Sequence, residues 1–205
     1  SELTKIEKKL PLRTFIFESL SIFIWSLQNG YKLNRYTLSM AALCGNLECL
    51  KYAHQNDCLF CDESTCENAA LGGHLECLKY AHQNGCPWDY DTCSKAAEGG
   101  HLECLKYARQ NGCEWNETTC TAAAHNGHLT CLQWARQNGC NWDEDTCECS
   151  TVGGHLDILK WLRENGCEWN EFTCKTAAEF GQLHCLQWAR EHGCEWNEET
   201  CEYAA

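Results

Sequence analysis

The sequence predicts an all-α solenoid of stacked helix hairpins, on three observations. A near-identical phrase returns at a fixed interval: GHLECLKYAHQNGCPWD from Gly73, GHLECLKYARQNGCEWN from Gly100 and GHLTCLQWARQNGCNWD from Gly127. Units of 27 residues begin at Thr65, Thr92, Thr119, Thr146 and Thr173. The unit at Thr37 is 28 long because the loop CLFCDES carries one extra residue, and a partial seventh unit starts at Thr200. Periods of this size belong to architectures whose units bury their apolar faces only against neighbours. Within a unit, apolar residues recur at helical spacing, and nothing alternates with period two for long enough to make a strand.

Residues 1–36 read as a degenerate capping unit. SIFIWSLQNGYKLN matches the second half of a repeat, with Asn29-Gly30 falling where Asn84-Gly85 does, and Phe15, Phe17, Leu20, Phe23 and Trp25 replace the usual small residues. The array itself spans 37–205. In the unit at Thr92, Asp91-Thr92 offers N-cap chemistry to a short first helix, CSKAAE, and Gly99-Gly100 ends it. Ala96-Ala97 permits close helix packing. The second helix, HLECLKYARQ, sets Leu102, Cys104, Leu105 and Ala108 in one apolar stripe, with Glu103, Lys106 and Gln110 outside it. Asn111-Gly112 stops this helix, and CEWNET carries the chain to the next unit.

Those residues resemble an ankyrin repeat. TCSKAAEGGHLECLKYARQNGCEWN has the paired alanines of the first helix, the Gly-His that opens the second, the Leu-x-x-Leu-Lys stretch and the closing Asn-Gly. Ankyrin units usually have about 33 residues and a β-hairpin finger between helix pairs. These units are shorter, the loss falls in that connector, and the family's usual proline and histidine of the first helix are missing. The cysteine- and tryptophan-rich form is similar to the multiplied ankyrin proteins of giant DNA viruses and of some protists and algae. A viral origin would place it in a host cytoplasm or a virion.

Lys plus Arg is 16 against 29 for Asp plus Glu, a formal net charge of −13. Such a field repels phosphate backbones, which argues against nucleic acid and for a protein partner with a basic or neutral surface. No apolar run reaches the roughly 20 residues that cross a bilayer. SELTKIEKKLPLRTF lacks a secretory signal, so the expectation is an intracellular, cytoplasmic protein with no membrane partner. The chain stops inside a unit at Ala205, leaving an apolar end for further repeats or a partner to cover.

Seventeen of the 20 cysteines occupy three lattice positions. One opens the first helix (Cys66, Cys93, Cys120, Cys147, Cys174, Cys201), one lies in the second helix (Cys49, Cys77, Cys104, Cys131, Cys185), and one follows it (Cys58, Cys86, Cys113, Cys140, Cys167, Cys194). By the resemblance these positions face the core, where a reduced thiol packs as a small hydrophobe. Ile158 occupies one of them and can only pack. Two chemical alternatives stand beside that reading. Cys86 with Cys93, and Cys113 with Cys120, lie at the two ends of connectors, where a disulfide or a shared metal would join them. Cys58, Cys61 and Cys66, with Cys86 as a fourth ligand, offer a C-x-x-C zinc site. No other cofactor is implied.

Histidines and acids recur with the lattice, and no phosphate loop or isolated nucleophile stands apart from its copies, so the expectation is a non-enzymatic scaffold. The alternatives are a metal- or redox-responsive thiol protein and a structural part of a larger, viral-type assembly. The recurrent Trp88, Trp115, Trp142, Trp169 and Trp196 read as packing between units. The copies differ most on the outer part of the first helix, which in ankyrin arrays lines a concave, protein-binding face. The resemblance thus implies a surface of Glu67, Asn68, Leu71, Ser94, Lys95, Glu98, Thr121, His125, Asn126, Glu148, Lys175, Thr176, Glu179 and Phe180. The alternative is that these are merely solvated helix residues.

Overall fold

A computed structural model of the chain describes residues 15–195 apart from 35, 57, 59 and 60. Residues 1–14 of the expected cap, Trp196, Cys201 and the partial unit from Thr200 lie outside the described residues. Among the described residues there are thirteen helices and no strand. Helix α1 (Leu20–Gln28) precedes six hairpins: α2 (Thr37–Leu43) with α3 (Leu47–Gln55), α4 (Glu63–Leu71) with α5 (Leu75–Gln83), and α6 (Tyr90–Glu98) with α7 (Leu102–Gln110). The last three are α8 (Glu117–His125) with α9 (Leu129–Gln137), α10 (Glu144–Val152) with α11 (Leu156–Glu164), and α12 (Glu171–Glu179) with α13 (Leu183–Glu191).

First helices begin earlier than Asp91-Thr92 suggests. The cap of α6 is Asp89, whose carboxylate accepts from Asp91 N at 2.9 Å, and Asn116 and Asn170 cap α8 and α12 in the same way. The threonine is therefore an interior residue, buried at 0% exposure at Thr65, Thr92, Thr119, Thr146 and Thr173. Only Thr146 answers its cap, Asp143, in a reciprocal capping box. The shift leaves four connector residues, 113–116, where a hairpin finger would need more.

Each helix end closes by the same motif. At α6, His101 N donates to Ala96 O at 2.8 Å and Gly100 N to Ala97 O at 3.2 Å, with Gly100 left-handed at φ 74°. Gly100 also leaves room for a neighbour: a Cβ there would lie 2.5 Å from Nδ1 of His128 in the next unit. The Gly-His pair is thus an inter-unit joint as well as a helix stop.

The first helices pack closely against one another along the stack, whereas successive second helices touch sparingly, so the array bends toward the first-helix row. Ala69, Ala70, Ala96, Ala97, Ala123 and Ala124, all at 0% exposure, allow that approach. Between the rows lie Leu78, Leu105, Leu132 and Leu159, also fully buried. At the N-terminal end, Phe17 and Phe23 (ring centroids 5.3 Å apart) with Tyr31 and Tyr52 seal the first hairpin.

Candidate partner-binding face

The expected surface residues fall into two groups rich in carboxylates and a middle without them. In the first group Lys95 Nζ lies 2.7 Å from Glu98 Oε2, next to Glu67 of the preceding unit. The carboxylates of Glu67, Asp89 and Asp91 all come within 4.8 Å of one another. Partial burial raises the Glu67 carboxyl above its ordinary range, Asp89 and Asp91 add to the rise, and Lys95 opposes it. The second group lies in the units at Thr146 and Thr173, with acids drawn partly from the same helix as Glu148. Burial raises Glu148, with Asp145, Glu144 and Glu179 adding and Lys175 opposing. Lys175 Nζ also sits 5.9 Å over the Phe172 ring.

Between the groups, Thr121 donates to Glu117 O at 3.0 Å and Asn126 to Ala122 O at 2.9 Å. His125 is exposed, and its carbonyl oxygen lies 3.1 Å from His155 Nε2. Asn68 and Leu71 are half-buried, while Glu179 and Phe180 (52%) are exposed. Ser94 and Thr176 point into the helix stack at 7% exposure each. Ser94 donates to Asp91 O at 3.1 Å, and Thr176 shares a 2.8 Å hydroxyl contact with Thr151. Sequence comparison of the copies missed Asp89, Asp91, Glu144 and Asp145. Their position in helix caps and first turns marks them as structural, yet the fold brings their charges to the same groups.

The thiols pair across a unit, not along a connector. Cys93 interacts with the thiol of Cys113, 20 residues on, as do Cys120 with Cys140, Cys147 with Cys167 and Cys174 with Cys194. That interaction and burial hold the first-helix thiols protonated. The connector thiols donate in turn to the capping residues of their own units: Cys113 to Asp89 O (2.9 Å), Cys140 to Asn116 O (3.1 Å) and Cys167 to Asp143 O (3.2 Å). The expected approach of Cys86 to Cys93 and of Cys113 to Cys120 gives way to these contacts, because each helix pair folds the end of its unit back onto its own start. Burial pushes Cys77, Cys104 and Cys131 up to about 11. Such thiols are poor nucleophiles near neutral pH.

The four candidate zinc ligands do not share a centre. Cys61 and Cys86 form a disulfide. The Cys58 thiol faces Asn34 O at 3.6 Å, and the Cys66 thiol faces Cys86 O at 3.9 Å. In this disulfide form Cys61 and Cys86 offer no thiolate to a metal, and the four cysteines do not make a four-thiolate zinc site.

On the second-helix side an aromatic row fills the wider gaps. Arg109, Arg136 and Arg163 lie 4.7, 4.2 and 4.1 Å over the rings of Trp115, Trp142 and Trp169. Those tryptophans meet Trp134, Trp161 and Trp188 edge-on at 5.7, 5.6 and 5.8 Å.

Residues 93–173 match the family model described as ankyrin repeats (3 copies). No curated protein sequence matches the chain. Among solved structures, the human ASB11 ankyrin repeat domain is similar at a TM-score of 0.61 and 19% identity, over 77% of this chain and 84% of that one. At that identity the likeness concerns the fold.

Proposed function

We propose that this ankyrin-repeat protein is a non-enzymatic interaction scaffold that holds a protein partner, through a basic segment, on the face of its first helices. Ankyrin repeats are in general protein–protein interaction modules. The observation that supports the finer reading is the pair of acidic groups, Glu67 with Asp89 and Asp91, and Glu148 with Glu144, Asp145 and Glu179. Each carries one lysine, and Thr121, His125 and Asn126, none of them acidic, separate the two groups. An extended cationic segment crossing the units would meet negative potential at both ends. On this reading residues 1–36 cap the array, and its many reduced thiols suit an intracellular compartment. No helix among the described residues is long and apolar enough to cross a membrane.

The test uses a fluorescent Lys/Arg-rich peptide and an acidic control peptide of the same length. The parent protein should hold the basic peptide with an affinity that falls as salt rises. Neutralising Glu67→Gln together with Glu148→Gln should weaken it about tenfold, with thermal unfolding unchanged. Equal affinity in parent and variant, or equal binding of the acidic control, refutes the reading.

A further inference from the structure

The recurrent tryptophan occupies the fourth position before each unit's threonine, at Trp88, Trp115, Trp142 and Trp169; in the unit at Thr65 that position is Cys61. Each of these residues immediately precedes a helix cap, and at the tryptophan positions the unit's connector thiol approaches that cap's carbonyl. Where the neighbour is tryptophan, the thiol donates to the cap: Cys113 to Asp89, Cys140 to Asn116, Cys167 to Asp143. Where it is Cys61, the connector thiol is Cys86, and the two sulfurs pair across 25 residues with Cα atoms 5.1 Å apart. That separation is ordinary for a disulfide. The same exchange of residues alters the aromatic row. His82 stacks on Trp88, whereas at the Cys61 junction His54 Nδ1 instead lies 3.0 Å from the Tyr80 hydroxyl.

We infer that Cys61 and Cys86 form a selective thiol–disulfide exchange site that takes low-molecular-weight disulfides of the glutathione type and staples the unit at Thr65. The inference is independent of the partner-binding face. Cys61 is half-buried while Cys86 is 5% exposed, so Cys61 is the entry point. Its thiolate attacks the small disulfide, forming a mixed disulfide and releasing one small thiolate. The Cys86 thiolate then attacks the Cys61 sulfur, forming the intramolecular bond and releasing the second. Two electrons pass from the two protein thiols to one small disulfide, and the two protons go to the two released thiolates; excess small thiol reverses both steps. The other lattice pairs are shut off from this chemistry: Cys93, Cys120, Cys147, Cys113, Cys140 and Cys167 are at most 1% exposed. The closed loop contains both α4 and α5 and ties the two ends of one unit together.

The test is to equilibrate the full chain in glutathione buffers of rising oxidised fraction, alkylate under denaturing conditions and weigh the protein. The reduced chain should take 20 alkyl groups. In the oxidised buffer two fewer should be added, and peptide mapping should join Cys61 to Cys86. Oxidation should raise the thermal midpoint of the parent by about 5–10 °C, the range for closing a loop of this length in a chain of this size. Cys61→Ser and Cys61→Trp, the latter restoring the residue of the other units, should abolish both the missing thiols and the shift. Full alkylation at every ratio, a bond mapped to Cys58 and Cys61, or an unchanged deficit in Cys61→Ser overturns the assignment.

Discussion

The first-helix row and the second-helix row meet the same stacking problem with opposite materials. In the first row, paired alanines, cysteines and threonines at 0% exposure let neighbouring backbones approach closely. In the second row the helices splay, and tryptophans half-exposed to water bridge the gap with an arginine over one face and a second aromatic ring at the edge. Unequal spacing of the two rows and their side-chain sizes go together: the closely packed row has room only for small side chains, and the wider row leaves gaps that large ones fill. Stability in the first row therefore depends on the absence of volume, and in the second on its presence.

That contrast can be broken most forcefully from the inside. Ala123→Leu adds three carbons at a site with 0% exposure and no room to relax, and should lower unfolding stability by about 3 kcal/mol. Denaturant titration checks it, and a near-neutral result would mean that the first row is not tightly packed. On the outside the change runs the other way. Trp142→Ala removes the ring between Arg136 and Trp161 and should cost about 1–2 kcal/mol, less than a fully buried tryptophan because the site is half-exposed.

The second-helix cysteines provide a smaller, pH-dependent test. Burial raises Cys77, Cys104 and Cys131 to about 11 from an ordinary 9.0. Unfolded thiols lose their protons through about 9 while folded ones keep theirs, so the unfolded state binds fewer protons in that window. Their contribution is full below about pH 9 and is lost as pH rises toward about 11. Thermal midpoints should fall by several degrees across that range. Cys104→Val should change neutral-pH stability by less than about 1 kcal/mol, as Ile158 shows that an aliphatic side chain fits the position, and should make the alkaline fall shallower. An equally steep fall in that variant would place its origin elsewhere. Smallest of all, Lys95→Glu, half-exposed beside Glu98, should shift stability by no more than about 0.5 kcal/mol in a thermal scan. A larger loss would make Lys95 a structural residue of the first row and remove it from the partner-binding face.

Period and helical stripe were enough to determine the architecture. The 27-residue spacing, the Gly-His joints and the Leu102, Cys104, Leu105, Ala108 stripe required a hairpin that buries itself only against copies, and residues 93–173 carry the matching family signature. The short connector likewise ruled out a long finger. Sequence also identified the first helix as the variable one, because comparing copies with each other needs no coordinates.

Tertiary structure alone decided which side chains meet. The cap at Asp89 lay three residues before the threonine because that threonine is needed in the interior, a demand visible only once the helices stack. Ser94 and Thr176 varied between copies like surface residues, yet turned inward to satisfy backbone and hydroxyl partners. The cysteines showed the limit most plainly. Their spacing named neighbours along the chain, but a hairpin returns the end of each unit to its start, so contacts formed 20 or 25 residues apart. Residue types and their period are local properties and can be read from the chain, whereas proximity between units depends on how the backbone returns, which only the packed fold determines.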